Sequence, residues 1–345
     1  MLLAACSASP HGSDDDDTQS QDDGGDTADV TTSDDGGTTT DGATTTDGAM
    51  PASNVQIIVE PDGKDGQQVV DAINAAKKSV HMTMYMLTST NVISALISRH
   101  KAGVDVKVLL DSSSTTDNTS VYNQLKSGGV AVAWSSNKFT YTHEKCVIID
   151  GATAWIMTMN LTQSSPSSNR EYLGIDTSAA DVTEAETIFE GDFASSPPAS
   201  VNGPLVVSPI NSLTDLTGII NAAKSTLDLE QEELSDYHTA DALKAALGRG
   251  VKVRVVLSDA TMTQSGQSAL AEIKGAGAKV VKVSTPYIHA KAIIADGTTA
   301  FIGSENLSTG SLQYNRELGV VVTTASEVQK VSTTISSDFA KGTAL

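Results

Sequence analysis

His143 and Lys145 stand two residues apart, and so do His289 and Lys291. An apolar run follows each pair and ends in Asp-Gly, at Asp150 and at Asp296. Ten residues past each Asp is an Asn, Asn160 and Asn306, and eleven further on is a Glu, Glu171 and Glu317, inside Asn-Arg-Glu. Side chains alternate along a strand, so each His shares a face with its Lys. On the return strand Asn160 can come back beside His143. One set offers an imidazole, an ammonium and an amide together, and the second copy offers the same again. A phosphodiester calls for this equipment. Its non-bridging oxygens carry charge that Lys145, Lys291, Asn160 and Asn306 can hold. It needs an in-line nucleophile on one side of phosphorus and a proton for the leaving alkoxide on the other, and two histidines can divide those tasks. Thr158 and Ser304 would add hydroxyl donors to substrate. Asp150 and Asp296 are expected to hold turns rather than touch it.

The pattern HxKxxxxD…GSxN, present twice, resembles that of the phospholipase D superfamily, and the chain is similar to its two-motif members. The resemblance implies a covalent mechanism. One His attacks phosphorus to form a phosphohistidine, the other protonates the leaving alcohol, and water or a second alcohol resolves the intermediate. It implies His143 as nucleophile and His289 as general acid. It also implies that Glu171 and Glu317 orient the imidazoles, each tied to the His of its own copy. No cofactor is implied and no metal, since the paired lysines would repel a cation. One departure stands out: the first copy reads Met157-Thr158-Met159-Asn160 where the pattern has Gly-Ser-x-Asn. Met157 adds bulk where Gly lets backbone approach, which implies a tighter or altered phosphate pocket. His11, His81, His100 and His238 have no counterpart and read as incidental.

The elements that must position these residues alternate. Segments 55–59, 80–87, 104–110 and 130–134 read as strands, with a helix at 67–78, a second capped by Asn91 and a short one at 121–125. The motif falls on a strand pair, 145–149 and 154–158, followed by a strand at 172–176 and a closing helix at 182–193. After Ser195-Ser196-Pro197-Pro198 the order repeats. Ile73-Asn74-Ala75-Ala76-Lys77 returns as Ile220-Asn221-Ala222-Ala223-Lys224, and Asp192-Phe193 as Asp338-Phe339. The expected fold is α/β: two homologous phospholipase D-type α/β sandwich halves, each a central sheet flanked by helices, related by pseudo-twofold symmetry. The halves span 54–195 and 205–345, joined by a linker at 196–204. Such a chain would act as a monomer with an internal pseudo-dimer.

Residues 1–50 contain twelve Asp and no Lys, Arg or Glu. Of the 42 acidic residues, 30 therefore remain in the rest of the chain against 22 basic ones, net −8. A mildly acidic folded part disfavours long nucleic acid, whose binding leans on Lys and Arg. Leu3-Ala4-Ala5-Cys6 resembles a bacterial lipobox, which implies a remnant of a lipoprotein signal at 1–6 and lipidation at Cys6. Either the recorded start lies downstream of the full signal or the match is chance. Segment 7–53 reads as a disordered Asp/Thr/Gly-rich tether with a span of roughly 40 Å. The expected location is the cell envelope, lipid-anchored to a bacterial membrane, with secretion as the alternative. No run of about 20 apolar residues is present. The other cysteine, Cys146, reads as a small buried hydrophobe. Segment 227–234 carries Asp228, Glu230 and Glu232 in alternation, which reads as a solvated acidic face or a receiver for a cationic head group. The leading expectation is a metal-independent phosphodiesterase, a phospholipase D hydrolysing phospholipid at a membrane surface. An endonuclease follows, then a phosphatidyl transferase of the cardiolipin synthase kind, then a catalytically silent surface binding protein.

Overall fold

The computed structural model describes residues 54–259 and 263–345. The expectations for the signal remnant 1–6, Cys6 and most of the tether 7–53 lie outside the described residues. In the first half, runs rich in Val, Ile and Met set between turns form the strands. The order is β1 (Val55–Glu60), α1 (Gln67–Ala75), β2 (Ser79–Met84), α2 (Thr90–Lys101), β3 (Asp105–Leu110), α3 (Thr115–Ser127) and β4 (Ala131–Trp134). Then come β5 (Lys145–Ile149), β6 (Thr153–Met157), α4 (Ser165–Ser168), β7 (Asn169–Asp176) and α5 (Ala179–Phe193). The second half repeats this with β8 (Val206–Ser208), α6 (Ser212–Ala222), β9 (Thr226–Gln231), α7 (Tyr237–Gly248), β10 (Lys252–Ser258), α8 (Gln264–Gly275) and β11 (Lys279–Val283). It ends with β12 (Tyr287–Ile288), β13 (Lys291–Ala295), β14 (Thr299–Gly303), α9 (Thr309–Gln313), β15 (Glu317–Val322), α10 (Ala325–Lys341) and β16 (Thr343–Ala344).

The two sheets share one topology. The first runs β1-β7-β6-β5-β2-β3-β4, and the second runs β8-β15-β14-β13-β9-β10-β11 with β16 added at its edge. In each, three strands are parallel and joined by helices, while the motif strands are antiparallel hairpins. The fold is thus α/β with two repeated halves.

Three apolar clusters hold it. Outer helices α1 to α3 place Ile73, Leu96 and Leu125 against Met82, Val108 and Met157. Helices α6 to α8 place Ile220, Leu243 and Ile273 against Leu229, Val255 and Phe301. A central cluster joins Ile148, Ile156 and Tyr172 of one half to Ile294, Ile302 and Val320 of the other, with Phe189 of α5 and Ile335 of α10. Burying each such side chain contributes about 1.5–3 kcal/mol, so a half standing alone would lose much of its core.

Some boundaries differ from expectation for local reasons. Helix α1 stops at Ala75 because Ala76 turns extended and the next amides go elsewhere: Lys77, Lys78 and Ser79 all donate to the Asp150 carboxylate. Helix α2 is capped by Ser89, whose hydroxyl accepts from Val92 N, not by Asn91. Strand β7 begins at Asn169 because its first two residues pair with β12 of the other half.

That last pairing is one of a reciprocal set. Tyr287 and Ile288 run parallel to Asn169 and Arg170, and Thr142 bridges to Arg316. The backbone amide of His143 donates to Arg316 O at 2.9 Å. Arg170 pairs with Asp338 at 2.6 Å, and fully buried Arg316 pairs with Asp192 at 2.8 Å. Each Asn-Arg-Glu segment is therefore bound to the opposite half.

Candidate active site

The crossing segments decide how the site is built. Arg170 lies beside Ile288, so the next residue, Glu171, meets the residue after Ile288, which is His289. Glu171 lies within 2.9 Å of His289 Nδ1. By the same logic Glu317 lies 2.8 Å from His143 Nδ1. Each imidazole is thus held by the carboxylate of the other half, not of its own copy. The sequence could tie Glu to His by spacing, but only the packing of the halves decides which His each Glu reaches.

The geometry fixes the tautomers. A carboxylate accepts, so each Nδ1 donates its proton and each Nε2 is left for chemistry. Both glutamates are fully buried and held by further donors. Thr158 Oγ1 and Asn169 Nδ2 bond Glu171; Ser311 Oγ and Asn315 Nδ2 bond Glu317. Burial pushes both carboxyls up, but the histidine charge and hydrogen bond, with help from a nearby lysine, hold each below its ordinary value.

Lys145 and Lys291 are buried beside these histidines, each donating to the backbone oxygen of the His two residues before it. Their surroundings differ. Lys291 Nζ lies 2.7 Å from Glu232 Oε2. Lys145 Nζ sits 5.1 Å from the centroid of the Tyr85 ring, and burial drives it down to about 7 despite the pull of Glu317. Asn306 Nδ2 reaches Glu232 at 3.5 Å, while Oδ1 of Asn306 and of Asn160 are buried with no protein partner. Glu232 also lies 3.6 Å from His289 Nε2. Burial raises its carboxyl, yet the charges of His289, Lys291 and His143 together hold it far below its ordinary value.

Several residues sit otherwise than the sequence suggested. The Thr158 and Ser304 hydroxyls are fully buried and used within the fold: Thr158 holds Glu171 and accepts from Tyr172 N, and Ser304 accepts from Leu318 N. Neither is a donor to substrate. Met157 does not narrow the phosphate pocket, because it points away into the helix-side core with Met159. In the second half the corresponding glycine is obligatory. A Cβ on Gly303 would meet the Glu305 carboxylate at 2.3 Å and Gly319 Cα at 2.5 Å. Asp150 and Asp296 adopt φ of 58° and 54° at the hairpin turns, and each carboxylate accepts three backbone amides.

The 227–234 segment is neither a solvated face nor one acidic surface. Asp228 is paired with Arg254, Glu230 is buried against Tyr172 OH, and Glu232 enters the site. Glu232 was read only as part of an acidic face, and Tyr85 is a site residue that motif reading missed. They follow β9 and β2 at the same place in the two halves, just past the strand residues that face Lys291 and Lys145. The offset of 147 that aligns these strands also aligns the two residues, so the signal was available.

Among the described residues, one His/Asp/Glu group is close enough to hold a metal ion: His81, Glu186 and Glu190. The Lys107 ammonium already lies 2.6 Å from Glu190 there, and the second half has an Asp228–Arg254 pair at the same place. This is an ion-pair network against α5. A concavity of about 450 Å³ beside it, lined by Val182, Glu186 and Glu190, contains none of the residues around the His143 and His289 pair.

The family model described as "Cardiolipin synthase, PLD-like domain" matches residues 69–193 and again 216–339. A cardiolipin synthase of Clostridium perfringens is 23% identical over 312 residues, covering 74% of this chain and 64% of that protein. The chain thus spans less than two thirds of that relative. A cardiolipin synthase of Listeria monocytogenes is 24% identical over 327 residues, covering 80% of this chain and 68% of its own. The crystal structure of phosphatidylserine synthase from Haemophilus influenzae Rd KW20 shares the fold, with a TM-score of 0.65 at 13% identity over 86% of this chain and 88% of that one.

Proposed function

The chain belongs to the phospholipase D superfamily, and from that premise we propose that it is a phosphatidyl transferase of the cardiolipin synthase kind. The observation that carries the reading is the pair of histidines, each held through Nδ1 by a carboxylate of the opposite half, with Nε2 left for reaction. His143 Nε2 attacks phosphorus while the phosphorus–oxygen bond to the head-group alcohol breaks. His289 gives its Nε2 proton to that alcohol. Lys145, Lys291, Asn160 and Asn306 hold the non-bridging oxygens. In the second step an acceptor alcohol returns a proton to His289, its oxygen attacks phosphorus, and the bond to His143 breaks.

Hydrolysis, with water as acceptor, uses the same intermediate, and motif residues do not separate the two. The names of the relatives favour transfer to an alcohol, which moves the transferase ahead of the hydrolase. The net charge of −8 outside the first fifty residues supports lipid over nucleic acid. Two complete sets of His, Lys, Asn and Glu argue against a silent binding protein. Because both halves of the site lie in one chain, a monomer suffices. No helix among the described residues is long and apolar enough to cross a membrane. The lipid anchor at Cys6 and the tether are part of this proposal, as the means of holding the site at a bilayer.

The test gives the full chain phosphatidylglycerol vesicles without divalent metal and identifies products by mass spectrometry. Release of glycerol with a diphosphatidyl product is expected. Phosphatidic acid alone would make it a hydrolase. DNA cleavage with untouched lipid would sink the lipid reading.

A further inference from the structure

The two halves supply the same His, Lys, Asn and Glu, yet the reaction needs one histidine to attack and the other to donate a proton. Something must break the symmetry. In the second half the Glu232 carboxylate lies 3.6 Å from His289 Nε2, the reactive nitrogen. Tyr287 OH donates to Glu232 Oε1 at 3.0 Å, and Lys291 and Asn306 hold Oε2 at 2.7 and 3.5 Å, so the carboxylate is fixed in place. In the first half the equivalent position is Tyr85, whose ring packs edge-on against His143 with centroids 4.7 Å apart. His289 is thus faced by Glu171, Glu232 and Lys291. His143 is faced by Glu317, Lys145 and the Tyr85 ring, and feels the charges of Glu232 and Lys291 as well.

We infer that Glu232 is a positioning residue that, opposite Tyr85, assigns the roles: its fixed carboxylate beside Nε2 makes His289 the proton donor and leaves His143 as the nucleophile. A carboxylate within reach of Nε2 orients a proton there, whereas the Tyr85 ring packed edge-on against the His143 imidazole brings no carboxylate to it. Burial, with Lys145 and Lys291, draws the His143 imidazole below its ordinary value against the pull of Glu317, in keeping with that assignment.

The inference rests on the two-step covalent reading above, and its test does not depend on which lipid is the substrate. The full chain and its Glu232→Gln variant are given bis(4-nitrophenyl) phosphate, whose leaving group needs no proton, and glycerophosphoglycerol, whose leaving alkoxide does. Glu232→Gln keeps the side-chain shape and should lose at least tenfold in kcat on glycerophosphoglycerol but less than threefold on the aryl ester. Alkaline quench and peptide mapping should find the phosphoryl group on His143. The exchange Tyr85→Glu with Glu232→Tyr should move it to His289. Equal losses on both substrates would make Glu232 merely structural and overturn the inference. So would phosphoryl on His289 in the unaltered chain. Phosphohistidine at neither position would overturn this assignment together with the two-step reading.

Discussion

Lys145 is a site residue whose charge is held down by burial. It is buried, has Tyr85 in place of a second carboxylate, and titrates at about 7. Its value is lowered, so the ammonium is present below that pH and lost above it. A bound phosphodiester needs the charge. KM for a soluble phosphodiester should therefore rise steadily above about pH 7, by up to tenfold per unit, while the aryl-ester kcat changes less. A KM flat from pH 6 to 9 would show that Lys145 stays charged without substrate. The presence of Lys145 in the site was readable from its spacing to His143. Its titration was not, because burial and the identity of residue 85 beside it come from other strands.

At the scale of the element, the motif aspartates act as staples. Asp150 sits at the β5–β6 turn with φ 58°, and its carboxylate accepts the amides of Lys77, Lys78 and Ser79, which fixes the start of β2 against β5. Burial raises its carboxyl, but these amides outweigh burial and hold it below its ordinary value. Its contribution is therefore present above about pH 4 and fades as pH falls through the depressed value. Asp150→Gly keeps the backbone conformation and loses the hydrogen bonds, at a cost of about 1–2 kcal/mol. Asp150→Ala should cost about 1 kcal/mol more, since Ala adopts positive φ poorly. Urea denaturation at neutral and acid pH checks both the order and the fading. Equal stability of the two variants would mean the turn carries no backbone preference.

At the scale of the whole molecule, the halves exchange arginines as they exchange glutamates. Arg316–Asp192 is almost wholly buried and stacks on Phe139, with Asp192 raised by burial despite Arg316. In Arg170–Asp338 the arginine is partly exposed while Asp338 is buried, and Lys341 also reaches Asp338, whose carboxyl is lowered. Removing one partner of a buried pair leaves the other uncompensated, at about 3–5 kcal/mol. Arg316→Ala should approach that loss in urea denaturation, and Arg170→Ala should fall below it. Equal losses would show that Lys341 does not relieve Asp338. Because each arginine lies next to a site glutamate in sequence, both variants should also slow turnover.

The sequence by itself determined the duplication, the strand-helix order, and the two sets of His, Lys, Asn and Glu. These rest on spacing and side-chain period, which are local. It also held the aspartates at their turns, since Asp-Gly between apolar runs is local turn chemistry. Tertiary structure alone decided that Glu171 serves His289 and Glu317 serves His143, because partners 118 and 174 residues apart are chosen by how the halves pack. It also turned Met157 into the core and brought Glu232 and Tyr85 to the histidines. Those are properties of which face a strand end presents, and a one-residue change in register would reverse them.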